Sequence, residues 1–252
     1  ASTHGGSTIV NANGGSDTIN VRRTDGATTV NAGAGNDIVN VGSQAPNTNG
    51  NVNAINALLT INGDGESDTL NVDDTGDVSG NSGTLTATTL TGLGMAERID
   101  YETLETLNIG LGLGGDTFTI VSTHTGATTL GTNGGADTIQ VQSTAGVTTI
   151  DSGADQDTIN VRAMGAATTV NAGAGNDTIN VGSLAPNING NVNAISALLT
   201  VNGDSESDTL NVDDTGDSAT NGGSLTGTTI TGLGMASGIT YGTLEAVNVN
   251  LG

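Results

Sequence analysis

The 252 residues include 41 Gly, 2 Pro, no Cys, no Trp, 2 Tyr and 1 Phe, and 4 Lys plus Arg against 26 Asp plus Glu leave a net charge of −22. This excludes disulfides, thiolate metal sites and cysteine nucleophiles, and leaves too few aromatic side chains for a bulky core or base-stacking platforms. Charge of this sign repels phosphate backbones and anionic membranes and favours inorganic cations, so neither nucleic acid nor membrane insertion is expected.

The sequence repeats itself. The stretch Gly5–Gly112 recurs at Ala145–Gly252 with a displacement of 140, as in Asn31–Ser43 (NAGAGNDIVNVGS) and Asn171–Ser183 (NAGAGNDTINVGS). Tandem units are therefore expected over about 5–144 and 145–252, the second incomplete, in one continuous solenoid over 1–252. Ala1 opens directly into repeat sequence, with no signal peptide or membrane-length apolar run predicted.

A shorter period runs inside each unit. Taken in chain order, the apolar anchors Val10, Val30, Ile61, Ile109, Leu130, Ile150, Val170 and Val201 each precede an acid by seven residues. The acids are Asp17, Asp37, Asp68, Asp116, Asp137, Asp157, Asp177 and Asp208. Leu90 as a further anchor puts Glu97 in the acidic register, and Ile230 puts Ser237 there. The intervals become 20, 31, 29, 19, 21, 20, 20, 31 and 29, which makes 140 residues equal to six coils.

Each coil carries two short alternating segments. In Thr28–Ala32 the alternation turns Val30 inward, and in Asp157–Val161 it turns Ile159 and Val161 inward and Thr158 and Asn160 outward. The predicted fold is all-β: a parallel β-roll or β-helix solenoid with coils of about 20 residues, two strands per coil and glycine-Asp turns on one edge. At about 4.8 Å per strand, ten registers span roughly 50 Å and a six-coil unit roughly 29 Å. Helical periodicity is confined to Val52–Leu59, where Val52, Ile55 and Leu58 or Leu59 predict one or two turns. The long coils carry insertions at 42–58, 73–84, 182–198 and 213–224, expected on the edge opposite the Asp turns and close enough to touch.

Three turns carry a motif. Ala32–Asn40 (AGAGNDIVN), Ala172–Asn180 (AGAGNDTIN) and Leu111–Thr119 (LGLGGDTFT) resemble the nonapeptide G-G-x-G-x-D-x-apolar-x of RTX, or haemolysin-type, secreted proteins. The resemblance implies that Ca²⁺ lies between neighbouring turns, held by the Asp carboxylates of the eight acids above and by turn carbonyls. Those carbonyls are near Gly33, Gly35, Gly112, Gly114, Gly173 and Gly175. Glycine permits the backbone that aims carbonyls inward, and hard oxygen ligands suit Ca²⁺. The match is incomplete: Asn13 and Asn133 stand at the second glycine position, and Glu66 and Asp155 at the fourth. Asp73, Asp74 and Asp77, with Asp213, Asp214 and Asp217, are candidate second sites without EF-hand spacing, and a solvated acidic loop explains them equally well.

The remaining polar residues suggest no chemistry. His4 and His124 occupy equivalent Ser-Thr-His turns and are expected to face solvent, and Arg22, Arg23 and Arg162 are expected to offset local acid. A catalytic carboxylate pair needs one singular cleft, whereas these acids repeat along an edge, so no enzyme is expected. The resemblance and the near-identical units together suggest a calcium-stabilised structural segment of a long extracellular bacterial protein, a fibre, sheath or adhesin. Its partners would be copies of itself end to end, or a longer parent chain, with glycans on the Thr-rich faces. The alternatives are a secretion or folding domain of a secreted toxin or enzyme, or a solenoid that binds glycan or ice.

Overall fold

The structure, a computed structural model, describes residues 4–252. The described residues form 23 strands and no helix. The first strands are β1 (Thr8–Asn11), β2 (Thr18–Val21), β3 (Thr28–Ala34), β4 (Ile38–Val41), β5 (Leu59–Gly65) and β6 (Thr69–Asp73). Then come β7 (Ser82–Leu85), β8 (Thr89–Gly92), β9 (Ile99–Glu102), β10 (Thr106–Gly110), β11 (Thr117–Ile120) and β12 (Ala127–Gly131). The next six are β13 (Thr138–Val141), β14 (Thr148–Asp151), β15 (Thr158–Val161), β16 (Thr168–Asn171), β17 (Thr178–Val181) and β18 (Leu199–Asn202). The last are β19 (Thr209–Asp214), β20 (Gly223–Leu225), β21 (Thr229–Gly232), β22 (Ile239–Gly242) and β23 (Ala246–Leu251).

These strands stack into two sheets. Sheet I has the order β1-β3-β5-β9-β8-β7-β11-β13-β15-β17-β19-β23, and sheet II the order β2-β4-β6-β10-β12-β14-β16-β18-β22-β21-β20. Coil pairs with coil in parallel and in register, so like residues stack. In sheet II, Val21, Val41, Val72, Ile109, Leu130, Ile150, Val170, Val201 and Tyr241 form one column. All of these but Tyr241 are at most 2 % exposed. Alternation permits this thin core: each strand gives one or two β-branched or Leu side chains to the interior, each worth about 1.5–3 kcal/mol on burial.

The outward faces are fastened separately. Asn amides form ladders along the axis, Asn31 donating to Asn11 at 2.7 Å, Asn62 to Asn31 at 2.7 Å, and Asn40, Asn71 and Asn108 each to the Asn below at 2.9 Å. Asn180, Asn211 and Asn248 repeat this over Asn160 in sheet I.

Two expectations are corrected. Leu90 does not anchor a coil: it lies in β8, which pairs antiparallel with β7 and with β9. Glu97 therefore falls in an exposed turn outside the acidic register, as does Ser237 in the second unit. The register position belongs to Glu105, between β9 and β10, whose carboxylate accepts the Asp68 N–H at 2.7 Å. The segment from Val52 to Ile55 makes a single turn closed by the Ile55 N–H on the Val52 carbonyl, after which Leu59 enters β5.

The unit is not six coils either. From β3 to its counterpart β16 the chain makes five and a half circuits, and the hairpin β7–β8 is laid flat into one sheet. The half circuit exchanges the faces: β3 lies in sheet I, while β16 lies in sheet II. The strands β3 to β15 add eight members to sheet I and five to sheet II, and the second unit places its hairpin, β20–β21, in sheet II.

The insertions of adjacent coils are pinned together. The Gly50 N–H donates to Asp73 at 2.8 Å, the Val52 N–H to Asp74 at 3.0 Å and the Asn53 amide to Asp77 at 3.0 Å. Asp213, Asp214 and Asp217 hold Gly190, Val192 and Asn193 in the same way. Arg22 and Arg162 donate to the Ala45 and Ala185 carbonyls of these loops at 2.7 Å, while Arg23 pairs with Asp25.

The Glu105 assignment has a direct test. Glu105→Ala removes the acceptor of a backbone N–H, a change worth about 1 kcal/mol, and is expected to lower the urea midpoint. Glu97→Ala is expected to leave it unchanged. Equal midpoints for the two variants contradict the assigned register.

Candidate functional site

The acidic turns form two ladders on opposite edges. On the first edge, where sheet I passes to sheet II, the Asp17 N–H donates to Asp37 at 2.7 Å, Asp37 to Asp68 at 2.9 Å and Asp68 to Glu105. On the second edge, where sheet II passes back, Asn81 donates to Asp116 at 2.7 Å, Asp116 to Asp137 at 2.6 Å and Asp137 to Asp157 at 2.8 Å. The ladder continues from Asp157 to Asp177 at 2.7 Å, from Asp177 to Asp208 at 2.9 Å and from Asp208 to Glu245 at 2.7 Å. Along each half the acids keep to one edge. They change edge at β10, a strand flanked by Glu105 before it and Asp116 after it.

The turn backbone explains the glycines. Gly33, Gly153 and Gly173 take φ of 99°, 92° and 93°, and Gly35 and Gly175 take 132° and 151°. A Cβ on Gly33 would run into the Asn13 carbonyl oxygen, and one on Gly173 into that of Gly153. Where glycine is replaced the backbone keeps the same hand: Asn13, Asn133, Glu66 and Asp155 have φ of 75°, 62°, 75° and 79°. Asn and Asp enter this region more readily than other side chains, and Glu66 does so under strain.

Every ladder carboxylate except that of Asp17 spends one oxygen on a backbone N–H of the coil before it. The Oδ2 atoms of Asp37, Asp68, Asp137, Asp157, Asp177 and Asp208 are buried without a hydrogen-bond partner. These six side chains are at most 2 % exposed. Burial pushes the carboxyl groups of Asp137 and Asp177 up to about 6 and that of Asp157 up to about 7, with neighbouring acids adding to the shift. Burial also raises Asp68, Asp116 and Asp208. Such an oxygen needs either a proton or a cation.

The donor set fits a hard cation. It offers a row of carboxylate oxygens at strand spacing and turn carbonyls beside them, with no sulfur and no imidazole. Among the described residues no three acidic or imidazole side chains converge on one point, so a cation here would need backbone carbonyls for most of its ligands. The eight expected acids do not share one edge: three, Asp17, Asp37 and Asp68, lie on the first with Glu105, and five, Asp116, Asp137, Asp157, Asp177 and Asp208, on the second with Glu245.

The insertion acids differ. Asp73, Asp74, Asp213 and Asp214 accept backbone N–H groups, and Asp77 and Asp217 accept Asn amides. None of them has an orphaned buried oxygen. Burial raises Asp74 to about 7, whereas the Ser79 and Ala219 N–H groups hold Asp77 and Asp217 low. His124 is not the exposed turn residue expected: it is half-buried, edge-on to Tyr101 with ring centroids 6.0 Å apart, and burial lowers its pKa.

Glu105 and Glu245 escaped the spacing argument because their turns are short. Ile61 precedes Asp68 by seven residues, whereas its neighbour Tyr101 precedes Glu105 by four. The longer Glu side chain makes up the reach. A signal was present: Glu105-Thr106-Leu107-Asn108-Ile109 has the acid-Thr-apolar-Asn-apolar order of Asp68-Thr69-Leu70-Asn71-Val72. No family model matches the chain, and no curated protein is significantly similar to it.

The raised carboxyls fix the sign of the pH dependence without divalent ions. Their folded values exceed the ordinary 3.8, so their contribution is full below that pH and is lost as pH rises through about 6 and 7. Chelator-treated protein is expected to melt lower at pH 8 than at pH 5. Asp157→Asn, which keeps an acceptor and removes the buried charge, is expected to regain about 2–4 °C at pH 8. A melting point independent of pH, or lowered by Asp157→Asn in chelator at pH 8, contradicts this.

Proposed function

We propose that this chain is a stiff structural segment of an extracellular fibre, sheath or adhesin, with Ca²⁺ on its acid ladders. The observation that carries the reading is the row of orphaned, buried Oδ2 atoms on both edges. One divalent cation between neighbouring turns would satisfy two rungs and relieve their repulsion, turning a cost of folding into a cross-link. The bound ion would supply positive charge. The chain's own part is to hold the Asp carboxylates by coil-to-coil amides and to present the turn carbonyls through left-handed glycines.

The outer faces support a structural rather than a ligand-binding role, because their Asn side chains are largely engaged with one another. The acids repeat along edges instead of converging in a cleft, which favours a non-enzymatic role. Near-identical tandem units suit a protein whose product is length, with copies joined along the axis.

Calcium titration followed by circular dichroism and an ion count tests the reading. Calcium is expected to raise the melting point, and Asp157→Ala is expected to weaken the calcium-loaded protein more than Asp151→Ala. Asp151 lies on the outer face and accepts the Asn171 amide at 2.5 Å. Full strand signal with unchanged melting in excess EGTA would sink the proposal.

An array of such units also has a defined period. Two units return the hairpin to the same sheet after thirteen strands per sheet, about 62 Å at about 4.8 Å per strand, with a half-turn at about 31 Å. Fibre diffraction or averaged images of an array are expected to show this two-unit period. A period of one unit without a half-turn contradicts it.

A further inference from the structure

Equivalent strands of the two units present equivalent outer faces, and the two faces differ in charge. The first unit presents β1, β3, β5, β9 and β8 on sheet I, and the second presents β14, β16, β18, β22 and β21 on sheet II. On the second face, N–H groups of Thr148, Thr168 and Leu199 donate to the carbonyls of Ala167, Leu198 and Gly238, which stacks Val147, Ala167, Leu198 and Gly238 along one margin. Beside them run Thr149, Thr169, Thr200 and Thr240, and then Asp151, Asn171, Asn202 and Gly242. β21 adds Thr229 opposite Thr240. Val147 is 60 % exposed and Leu198 42 %. The one charge in these rows is Asp151, on the far margin, where it accepts the Asn171 amide.

The first face carries a charged row. Arg98, Asp100 and Glu102 stand where the second unit has Gly238, Thr240 and Gly242, and Ser7 stands where it has Val147. Arg98 pairs with Asp100 at 2.7 Å. In the turn beside the margin Arg23 pairs with Asp25 at 2.7 Å, where the second unit has Ala163 and Gly165. Glu102 lies in register with Asn62 but has no amide to continue the Asn ladder, and the Asn62 Oδ1 is buried without a partner. A groove of about 330 Å³ breaks the face between Thr60, Arg98 and Glu102. Five charged side chains of the first face and its turn are thus absent from the second.

We propose that the outer face of sheet II from β14 to β21 is a lateral docking surface for a second copy of this chain, the two copies meeting face to face about a two-fold axis. A chain of net charge −22 repels its copies, and its acid ladders run along both edges, so an almost uncharged face is where two copies approach at least cost. Packing of the two sheets at about 10 Å buries Val147 and Leu198 of each copy against the Thr-lined face of the other. The charged row across the first face keeps that face from pairing in the same way. Five strands at about 4.8 Å and about five residues at about 3.3 Å give roughly 24 Å by 16 Å on each copy, about half of what each partner buries in a standard interface. One pair of faces therefore associates weakly, and chains lying side by side add such contacts along their length. The proposal rests neither on bound calcium nor on end-to-end joining.

Sedimentation equilibrium of the full chain over a wide range of concentration tests it, with calcium and with chelator, while circular dichroism checks that each variant keeps its strands. The expected result is a reversible monomer–dimer equilibrium that strengthens with salt, as screening lowers the repulsion between copies. Thr169→Asp places a charge in the middle of the face and is expected to weaken the dimer about tenfold or more. Thr29→Asp, the same change at the matching position of the first unit, is expected to leave it unchanged. Thr240→Asp with Gly242→Glu rebuilds the acids of the first face and is expected to abolish the dimer, and Gly242 has open space for the added side chain. Val147→Ser is expected to weaken it. A chain that is monomeric at every concentration, a dimer indifferent to Thr169→Asp, or one weakened equally by Thr29→Asp overturns the surface. Open-ended growth indifferent to these variants also overturns it and leaves the structural reading intact. A monomer retained on a polysaccharide column, with retention lost in Thr169→Asp, makes glycan the occupant and overturns self-pairing. A dimer sensitive to Thr169→Asp in a chain whose melting calcium does not change supports the surface and overturns the calcium reading.

Discussion

A carboxylate oxygen in one coil accepts the backbone N–H of the acid in the coil before it, and most of the structure follows from that bond. It recurs from Asp17 to Glu105 on one edge and from Asn81 to Glu245 on the other. Because donor and acceptor belong to equivalent residues, the bond fixes the register of successive coils to the residue. It also draws each Asp into the turn, where the second oxygen is stripped of water. The register is gained at the expense of a buried, mutually repelling row of charges, and the elevated carboxyls of Asp137, Asp157 and Asp177 are the direct expression of that conflict.

The conflict lies at the edges, where successive coils are joined. An apolar interior built from Val, Ile and Leu with few aromatics is thin, so the edges contribute a larger share of cohesion than in a globular domain. Neighbouring coils are joined by strand pairing, by Asn amide ladders on the faces and by the insertion acids that hold Gly50 and Val52. Each of these links only adjacent coils, so stability builds along one dimension. A cation on the ladders would act in the same direction and at the point of greatest repulsion.

The half circuit in the repeat exchanges the faces. The first unit lays two extra strands into sheet I at the hairpin β7–β8, and the second lays its hairpin into sheet II. Two strands at about 4.8 Å add roughly 10 Å to one face only, and the exchange puts the addition of the second unit on the other face.

The sequence by itself determined the class of fold, the coil length of the regular turns, the inward residues and eight of the acids of the turns. Each of these depends on local period: alternation turns Val30 inward, and glycine before Asp37 marks a turn. The sequence also carried the order acid-Thr-apolar-Asn at Glu105, although the shortened turn hid it from a spacing of seven. Tertiary structure alone decided which sheet a strand joins. Either strand of a coil presents the same Thr-apolar-Asn-apolar alternation, and Ile109 stacks equally well on Val72 below and under Leu130 above. A pattern with period two is blind to which face of the solenoid it lies on. The change of edge at β10, the antiparallel hairpin at Leu90 and the exchange of sheets between units are therefore set by pairing between coils, where the hydrogen-bond partners of β7, β9 and β10 resolve what alternation leaves degenerate.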